Sequence, residues 1–131
     1  LIALDGHFVV ERDAKLLGYA AAAHCDYFDG RPMFELMISR FEKLSFGGEP
    51  ISRENSFQYG PVCIAKEARG SGAFQALFTE VANQMKTRYE IGTTFINRIN
   101  ARSYEAHTRK LGLAPIDEFD FNGNRYWGLA F

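Results

Sequence analysis

Near its middle the chain passes directly from an extended apolar segment into a helix, and this passage restricts the possible folds more than any other feature. Residues 57–64 form an apolar, strand-like run, and Pro61 within it indicates a bulge or an edge position. Over residues 70–89 the apolar side chains recur every three or four positions, which predicts an amphipathic helix. Phe74, Leu77, Phe78, Val81 and Met85 carry this periodicity. The sequence therefore predicts a strand, a tight loop and a helix in direct succession.

Hairpins are predicted at both ends of the chain. Residues 8–12 and 16–23 are strand-like and flank a short polar turn, while residues 119–121 and 126–129 flank Asn122-Gly123, the strongest two-residue hairpin signal. Between the hairpins, helical spacing predicts helices over residues 32–46 and 101–111, and residues 93–96 predict a short strand. Alternating strands and helices of this kind favour a mixed sheet with helices on its faces.

Length and charge narrow the class of protein. The chain has 131 residues, a length that fits one compact domain over residues 1–131. Its net charge is -1, from 15 Lys+Arg and 16 Asp+Glu, and this near balance argues against nucleic acid as a partner, because such binding depends on cations that neutralise phosphates. The longest apolar run, residues 16–23, is far shorter than the roughly 20 residues that cross a bilayer. No signal peptide is visible, and we expect a cytoplasmic protein, although an opening at Leu1 rather than Met leaves room for a preceding segment.

The two cysteines, Cys25 and Cys63, have no metal-binding or redox spacing, so we expect both to be buried, reduced and structural, and we expect no metal site. Cys63 is also conceivable as an acylated nucleophile. The sequence shows no paired base for such a thiolate, which favours the structural role.

The loop over residues 65–73 is the best candidate for binding chemistry. Gly70 and Gly72 let the backbone approach an anion, the following helix offers unpaired N–H groups, and Arg69 adds a positive charge. The alternative is that the glycines only permit a tight turn. The loop lacks the Gly-Lys-Ser/Thr of a Walker motif and the three-glycine pattern of dinucleotide-binding folds.

Two motifs resemble the GNAT superfamily of N-acetyltransferases. Residues 62–74 resemble its acyl-CoA signature, Arg/Gln-x-x-Gly-x-Gly/Ala, with Arg69 and Gly72 in place and Phe74 at the final position. Residues 100–113 resemble the later helix of the family, which begins at an Asn, here Asn100, and ends at Leu-Gly-Phe, here Leu111-Gly112-Leu113. The resemblance covers residues 8–131. It implies a mixed, mostly antiparallel sheet with helices on both faces and a splay between the central strands.

The resemblance also implies a donor, acetyl-CoA, and its binding residues. The backbone of Val62, Cys63 and Ile64 would pair with the pantetheine arm, and the loop would hold the pyrophosphate. The loop residues are Arg69, Gly70, Ser71, Gly72, Ala73 and Phe74. Asn100 and Ser103 would contact the cofactor from the later helix. Phe74 replaces a small residue of the family pattern, so it would narrow the phosphate site or pack into the core.

For the proton required by the leaving thiolate, the resemblance points to His107, seven residues after Asn100, with Tyr104 in reserve. The second motif is one residue longer than the family pattern, and counting back from Leu111 points to Thr108 instead. Asn100, Ser103 and His107 share one helical stripe, so all three can face one ligand.

The acceptor side is less defined. The family normally has a strand and two helices before the first hairpin; here almost nothing precedes Phe8, and the helix predicted over residues 32–46 is additional and could cover that side. Its aromatic residues could line an acceptor pocket, although helical spacing makes them core residues first. These are Phe34, Phe41 and Phe46. His24 and Glu35 are possible bases by residue type only.

Three functions follow in order of support. The first is an N-acetyltransferase that moves an acetyl group from acetyl-CoA to a primary amine of a small molecule or peptide. The second is a non-catalytic acyl-CoA-binding sensor, and the third is a binding site for another nucleotide. The aromatic terminal hairpin offers an exposed edge through which a homodimer could form.

Overall fold

The computed structural model describes residues 6–131. Leu1, at which the sequence opens, lies outside the described residues. In chain order the strands are β1 (Gly6–Arg12), β2 (Lys15–His24), β3 (Ser45–Phe46), β4 (Glu49–Pro50), β5 (Ser56–Ile64), β6 (Ile91–Asn97), β7 (Ala114–Phe121) and β8 (Asn124–Ala130). The helices are α1 (Pro32–Ser39), α2 (Ala73–Met85) and α3 (Ala101–Glu105). A π-helical turn over Ala106–Lys110 continues α3 without a break.

Six of these strands form one sheet in the order β1-β2-β5-β6-β8-β7, and only β5 and β6 pair in parallel. Both predicted hairpins are confirmed. Asn122 and Gly123 have φ values of 48° and 78°, the left-handed backbone that a tight two-residue hairpin turn requires. Strands β3 and β4 form a separate small hairpin.

The two central strands of the sheet separate from each other. β5 and β6 pair only from Ser56 opposite Ile91 to Gln58 opposite Thr93, although both strands continue well beyond these positions. Beyond Gln58, β5 pairs only with β2 on its other side. The result is a V-shaped opening between β5 and β6, as the predicted fold requires.

A bulge in β5 lies at the point where the strands separate. Ala22 of β2 is opposite Tyr59, whereas Ala20 is opposite Val62, so β5 has one more residue than β2 over this interval. The extra residue falls in the Gly60-Pro61 pair. Pro61 has no N–H to contribute to the ladder, and the bulge predicted there is confirmed.

Helices cover both faces of the sheet. On one face Leu77, Val81 and Met85 of α2 pack against Phe57 and Tyr59 of β5. On the other face the side chains of α1 pack against β6, β7 and β8, in a cluster that contains Met37, Ile91 and Phe119. The predicted mixed α/β fold is therefore confirmed. Among residues 6–131, every helix is too short or too polar to span a bilayer.

Two predicted helix boundaries are wrong. The helix predicted over residues 32–46 ends at Ser39, and a 3-10 turn over Phe41–Lys43 leads into β3. Gly47 and Gly48 have φ values of 60° and 83°, which turns the chain into the β3–β4 hairpin and places Phe46 in a strand. The helix predicted over residues 70–89 spans only Ala73–Met85, because Gly70 and Gly72 also have positive φ values and form the preceding turn.

Candidate functional site

A cavity of about 240 Å³ lies beside the opening of the sheet, between the end of β5, the loop before α2 and the α3 segment. Most of the residues that the sequence assigned to cofactor binding or catalysis line it. The lining residues are Val62, Ile64, Arg69, Gly70, Phe74, Asn100, Arg102, Ser103, Ala106, His107 and Lys110. The fold thus brings together two motifs that are far apart in the sequence.

The free edge of β5 forms one wall of this cavity. The N–H of Ala65 donates to the carbonyl of Leu17 in β2. Backbone groups of alternate residues point to opposite edges of an antiparallel strand, so those of Cys63 face β2, whereas those of Val62 and Ile64 face the opening. Cys63 is exposed, which corrects the expectation that both cysteines are buried; Cys25 is buried.

The loop before α2 forms the second wall. A Cβ built on Gly70 or Gly72 would meet no atom within 4 Å, so open space lies beside the backbone of this loop. The hydroxyl of Ser71 donates to the carbonyl of Ala68 and accepts from the N–H of Ala73, which fixes the start of α2. Ser71, Gly72 and Ala73 do not line the cavity, so only Arg69, Gly70 and Phe74 of the predicted loop residues reach it.

The α3 segment forms the third wall. Asn100 caps α3, because its Oδ1 accepts from the N–H of Ser103 at 3.2 Å. After Glu105 the segment widens into a π turn, in which the N–H of Leu111 donates to the carbonyl of Ala106. A π turn accommodates one extra residue within a helix. The additional residue of the second motif is thus absorbed within the π turn, and Asn100, Ser103 and His107 all line the cavity.

His107 is 3% exposed and hydrogen-bonded at both ring nitrogens. Its Nδ1 lies 2.8 Å from the carbonyl oxygen of Ser103, and its Nε2 lies 3.2 Å from the hydroxyl of Tyr59. A carbonyl oxygen only accepts, so Nδ1 carries the proton and donates, and in the neutral ring Nε2 accepts from Tyr59. Burial lowers the pKa of His107 below its ordinary value, with a smaller opposing effect from the bond to Ser103, and favours this neutral form.

Tyr59 is the site residue that sequence reasoning missed. It is 1% exposed and follows Gln58, the last residue of β5 paired with β6. Burial raises the pKa of its hydroxyl, so the group stays protonated and acts as a donor to His107. The ring of His107 also makes edge contacts with the rings of Tyr59 and Phe74, with centroid distances of 5.6 Å and 5.1 Å.

The other candidates for the proton donor lie elsewhere. Tyr104 does not line the cavity; its ring packs on Trp127 at a centroid distance of 3.8 Å, beside a separate cleft along β7. The hydroxyl of Thr108 donates to the carbonyl of Tyr104 at 2.8 Å. Neither His24 nor Glu35, the possible bases, lines the cavity.

The aromatic residues of the helix predicted over residues 32–46 belong to the core. Phe34, Phe41 and Phe46 all pack in the cluster beneath α1, as the alternative interpretation of their spacing expected. Among the described residues, no group of three or more His, Cys, Asp or Glu side chains is placed to hold a metal ion.

Two cations of the cavity were also missed. Arg102 and Lys110 line it from the α3 segment. Lys110 lies three residues after His107 on the helical stripe that carries Ser103 and His107, so continuing that stripe would have found it, whereas Arg102 lies beside the stripe.

Comparison with solved structures shows the same fold in acetyltransferases. A ribosomal-protein-alanine N-acetyltransferase from Brucella melitensis has a TM-score of 0.60 and 21% identity, over 94% of this chain and 65% of that chain. A protein from Salmonella typhimurium with a proposed acetyltransferase activity, solved with its cofactor acetyl-CoA, has a TM-score of 0.61 and 17% identity, over 94% of this chain and 61% of that chain. A proposed GNAT-family acetyltransferase from Desulfovibrio desulfuricans has a TM-score of 0.64 and 13% identity, over 95% of this chain and 66% of that chain.

The chain therefore has the GNAT fold, and the resemblance noted in its sequence is confirmed at the level of the fold. It spans slightly less than two-thirds of the length of each of these three proteins. No family model matches the sequence, and no curated protein matches it.

Proposed function

We propose that the chain is an N-acetyltransferase that moves an acetyl group from acetyl-CoA to a primary amine. The observation that carries this proposal is the free edge of β5 facing the opening of the sheet, directly beside a cavity with a cationic rim. An extended amide-containing arm can pair with such an edge as an added strand, and phosphates can bind at the rim. The fold shared with a ribosomal-protein-alanine N-acetyltransferase supports the same function.

Different residues of the cavity are suited to different parts of acetyl-CoA, its pantetheine arm and its pyrophosphate. The backbone groups of Val62 and Ile64 are suited to the amides of the pantetheine arm. The open space over Gly70, the start of α2 and the charge of Arg69 are suited to the pyrophosphate. Asn100 and Ser103 face the same space from α3.

When bound, acetyl-CoA supplies an acetyl thioester, and its transfer to an amine requires that the nitrogen lose one proton and that the departing sulfur gain one. Among the residues that line the cavity, His107 carries the imidazole, the side chain that most readily moves a proton near neutral pH. Its resting state holds one proton on Nδ1, and its Nε2 accepts from the hydroxyl of Tyr59. It can therefore take up the proton that the amine loses at Nε2 only when that hydroxyl turns away, and it then releases a proton to the departing sulfur. His107 is thus proposed as a proton carrier, and a neutral ring is its active form. Tyr59 fixes the position of Nε2 and is a positioning residue.

The test is to incubate the protein with acetyl-CoA and a panel of amines, and to measure the release of CoA thiol together with the mass of the acceptor. The panel should contain a peptide with an amino-terminal alanine, a polyamine and an amino sugar. We expect at least one acceptor to gain a single acetyl group faster than acetyl-CoA hydrolyses. Binding of acetyl-CoA with no transfer to any amine would favour the non-catalytic module, and equal affinity for ADP and CoA would favour a general nucleotide site.

A further inference from the structure

A second cleft, of about 330 Å³, lies against another face of α3. Tyr104 lines it from α3 and Trp127 lines it from β8, and the rest of its lining is residues 115–118 of β7. The cleft shares no lining residue with the cavity that contains His107. It is therefore a separate feature of the surface, and the proposed acetyl transfer does not use it.

The cleft and the cavity differ in charge. Three Arg or Lys side chains line the cavity, whereas Asp117 and Glu118 line the cleft, with no Arg or Lys among the described residues of its lining. The carboxylate of Asp117 is 12% exposed and pairs with Arg40 at the end of α1. Glu118 is 46% exposed and is thus the more accessible acid. An aromatic and acidic cleft of this kind is complementary to an organic cation.

The chain already places one of its own guanidinium groups against two residues of this cleft. Glu118 and Trp127 lie opposite each other on β7 and β8. The Cζ of Arg98 lies 5.2 Å from the centroid of the Trp127 ring, and its Nη1 donates to Oε1 of Glu118 at 3.2 Å. A guanidinium suits an aromatic face beside a carboxylate, because it is planar and its N–H groups form a rigid fork. Arg98 thus shows which chemical group these two side chains accept.

The contacts of Arg98 are weak enough for another cation to replace them. Its side chain is 50% exposed, and neither an exposed ion pair nor an exposed cation–π contact contributes much free energy. Arg98 does not line the cleft, so its side chain can turn into solvent without disturbing the walls. The other guanidinium near Glu118, that of Arg125, lies 3.6 Å from the same oxygen, beyond ordinary hydrogen-bond distance.

We propose that the cleft binds an arginine side chain of a partner peptide, with its guanidinium on Trp127 and Glu118 in place of Arg98. The ring of Tyr104, at a centroid distance of 3.8 Å from that of Trp127, extends the aromatic wall. Residues 115–118 extend for roughly 10 Å along β7, the last strand of the sheet, and an extended peptide can lie beside such an edge. This binding site goes beyond the proposed function and does not depend on acetyl-CoA.

The test uses the fluorescence of Trp127, the single tryptophan of the chain, without acetyl-CoA. The probes are the blocked tripeptide acetyl-Ala-Arg-Ala-amide, the same peptide with citrulline, a neutral isostere of arginine, and the single blocked residue acetyl-arginine-amide. We expect the arginine peptide to give a saturable change at millimolar concentration, to bind about tenfold more tightly than the citrulline peptide, and to bind more tightly than the single residue.

Two variants and a control locate the contact. Arg98→Ala removes the internal competitor, so the arginine peptide should bind about tenfold more tightly. Glu118→Gln should weaken its binding by about tenfold. The control is Glu105→Gln, which removes a negative charge from α3 outside the lining of the cleft, and it should leave the affinity unchanged.

The inference is overturned if Arg98→Ala shows no saturable change with the arginine peptide, or if the citrulline peptide binds equally well. An affinity that is unchanged in Glu118→Gln, or that falls equally in Glu105→Gln, would contradict a specific contact with Glu118. Binding of the single blocked arginine as tightly as the tripeptide would contradict a peptide as the source of the guanidinium. All of these results leave the proposed acetyl transfer untouched, because acetyl-CoA is absent from the experiment.

Discussion

Removing the hydroxyl of Tyr59 tests the arrangement around His107. In Tyr59→Phe the ring remains to pack against Phe78 and Phe131, but Nε2 of His107 loses its donor. Both side chains are almost fully buried, so water cannot readily replace the hydroxyl. An unpaired buried acceptor costs about 1–3 kcal/mol, and we expect the free energy of unfolding to fall by that amount. For a domain of this size the melting temperature should fall by roughly 3–10 °C.

Tyr126→Phe is the matched control. Its ring stacks on Phe119 at a centroid distance of 5.6 Å, and its hydroxyl has no hydrogen bond among the described residues. Denaturant and thermal unfolding at pH 7.5 measure both variants, and the control should change stability by less than about 0.5 kcal/mol. A Tyr59→Phe variant as stable as the control would refute the hydrogen bond from Tyr59 to His107.

Three further changes test other parts of the account. Burial lowers the pKa of His107, so at a pH below the ordinary histidine pKa of about 6.5 the unfolded chain binds a proton that the folded chain does not. The free energy of unfolding, measured with urea, should therefore fall as the pH drops from 7.5 to 5.5. The fall should be smaller in His107→Gln. Gly70→Ala should cost about 1 kcal/mol of stability in the same assay, because φ is +83° there and the added Cβ has room; no loss would contradict that backbone conformation. Arg40→Gln removes the partner that lies 2.5 Å from the largely buried carboxylate of Asp117, and it should lower the free energy of unfolding by about 1–2 kcal/mol. Breaking the exposed Arg109–Glu105 pair should cost clearly less. Equal losses in the two variants would contradict this difference.

The features that the sequence predicted correctly are those determined by local chemistry. The Asn122-Gly123 turn requires left-handed backbone, and Pro61 cannot donate to a sheet, so the closing hairpin and the bulge in β5 both follow from residue type. The helix after residue 70 was predicted from its apolar spacing. Its start was misplaced by three residues, because Gly70 and Gly72 stay outside the helix.

The features that were missed depend on contacts between distant parts of the chain. Tyr59 and His107 are 48 residues apart, and nothing near either residue in the sequence indicates that the two meet. Cys63 was expected to be buried and structural because the two cysteines have no metal-binding or redox spacing. The strand of Cys63 is at a free edge beyond Gln58, and only the pairing pattern of β5 and β6 shows this. The extra residue of the second motif left Thr108 and His107 as rival candidates until the π turn explained how it is accommodated.

The central claim is that acetyl-CoA binds along the free edge of β5 and the loop before α2, and chemical-shift mapping tests it most directly. Acetyl-CoA would be added to ¹⁵N-labelled protein, with amide shifts followed for each assigned residue. The account predicts the largest shifts at Val62, Ile64, residues 69–74 and residues 100–107. No shifts at millimolar acetyl-CoA, or shifts centred instead on the cleft beside Trp127, would contradict it.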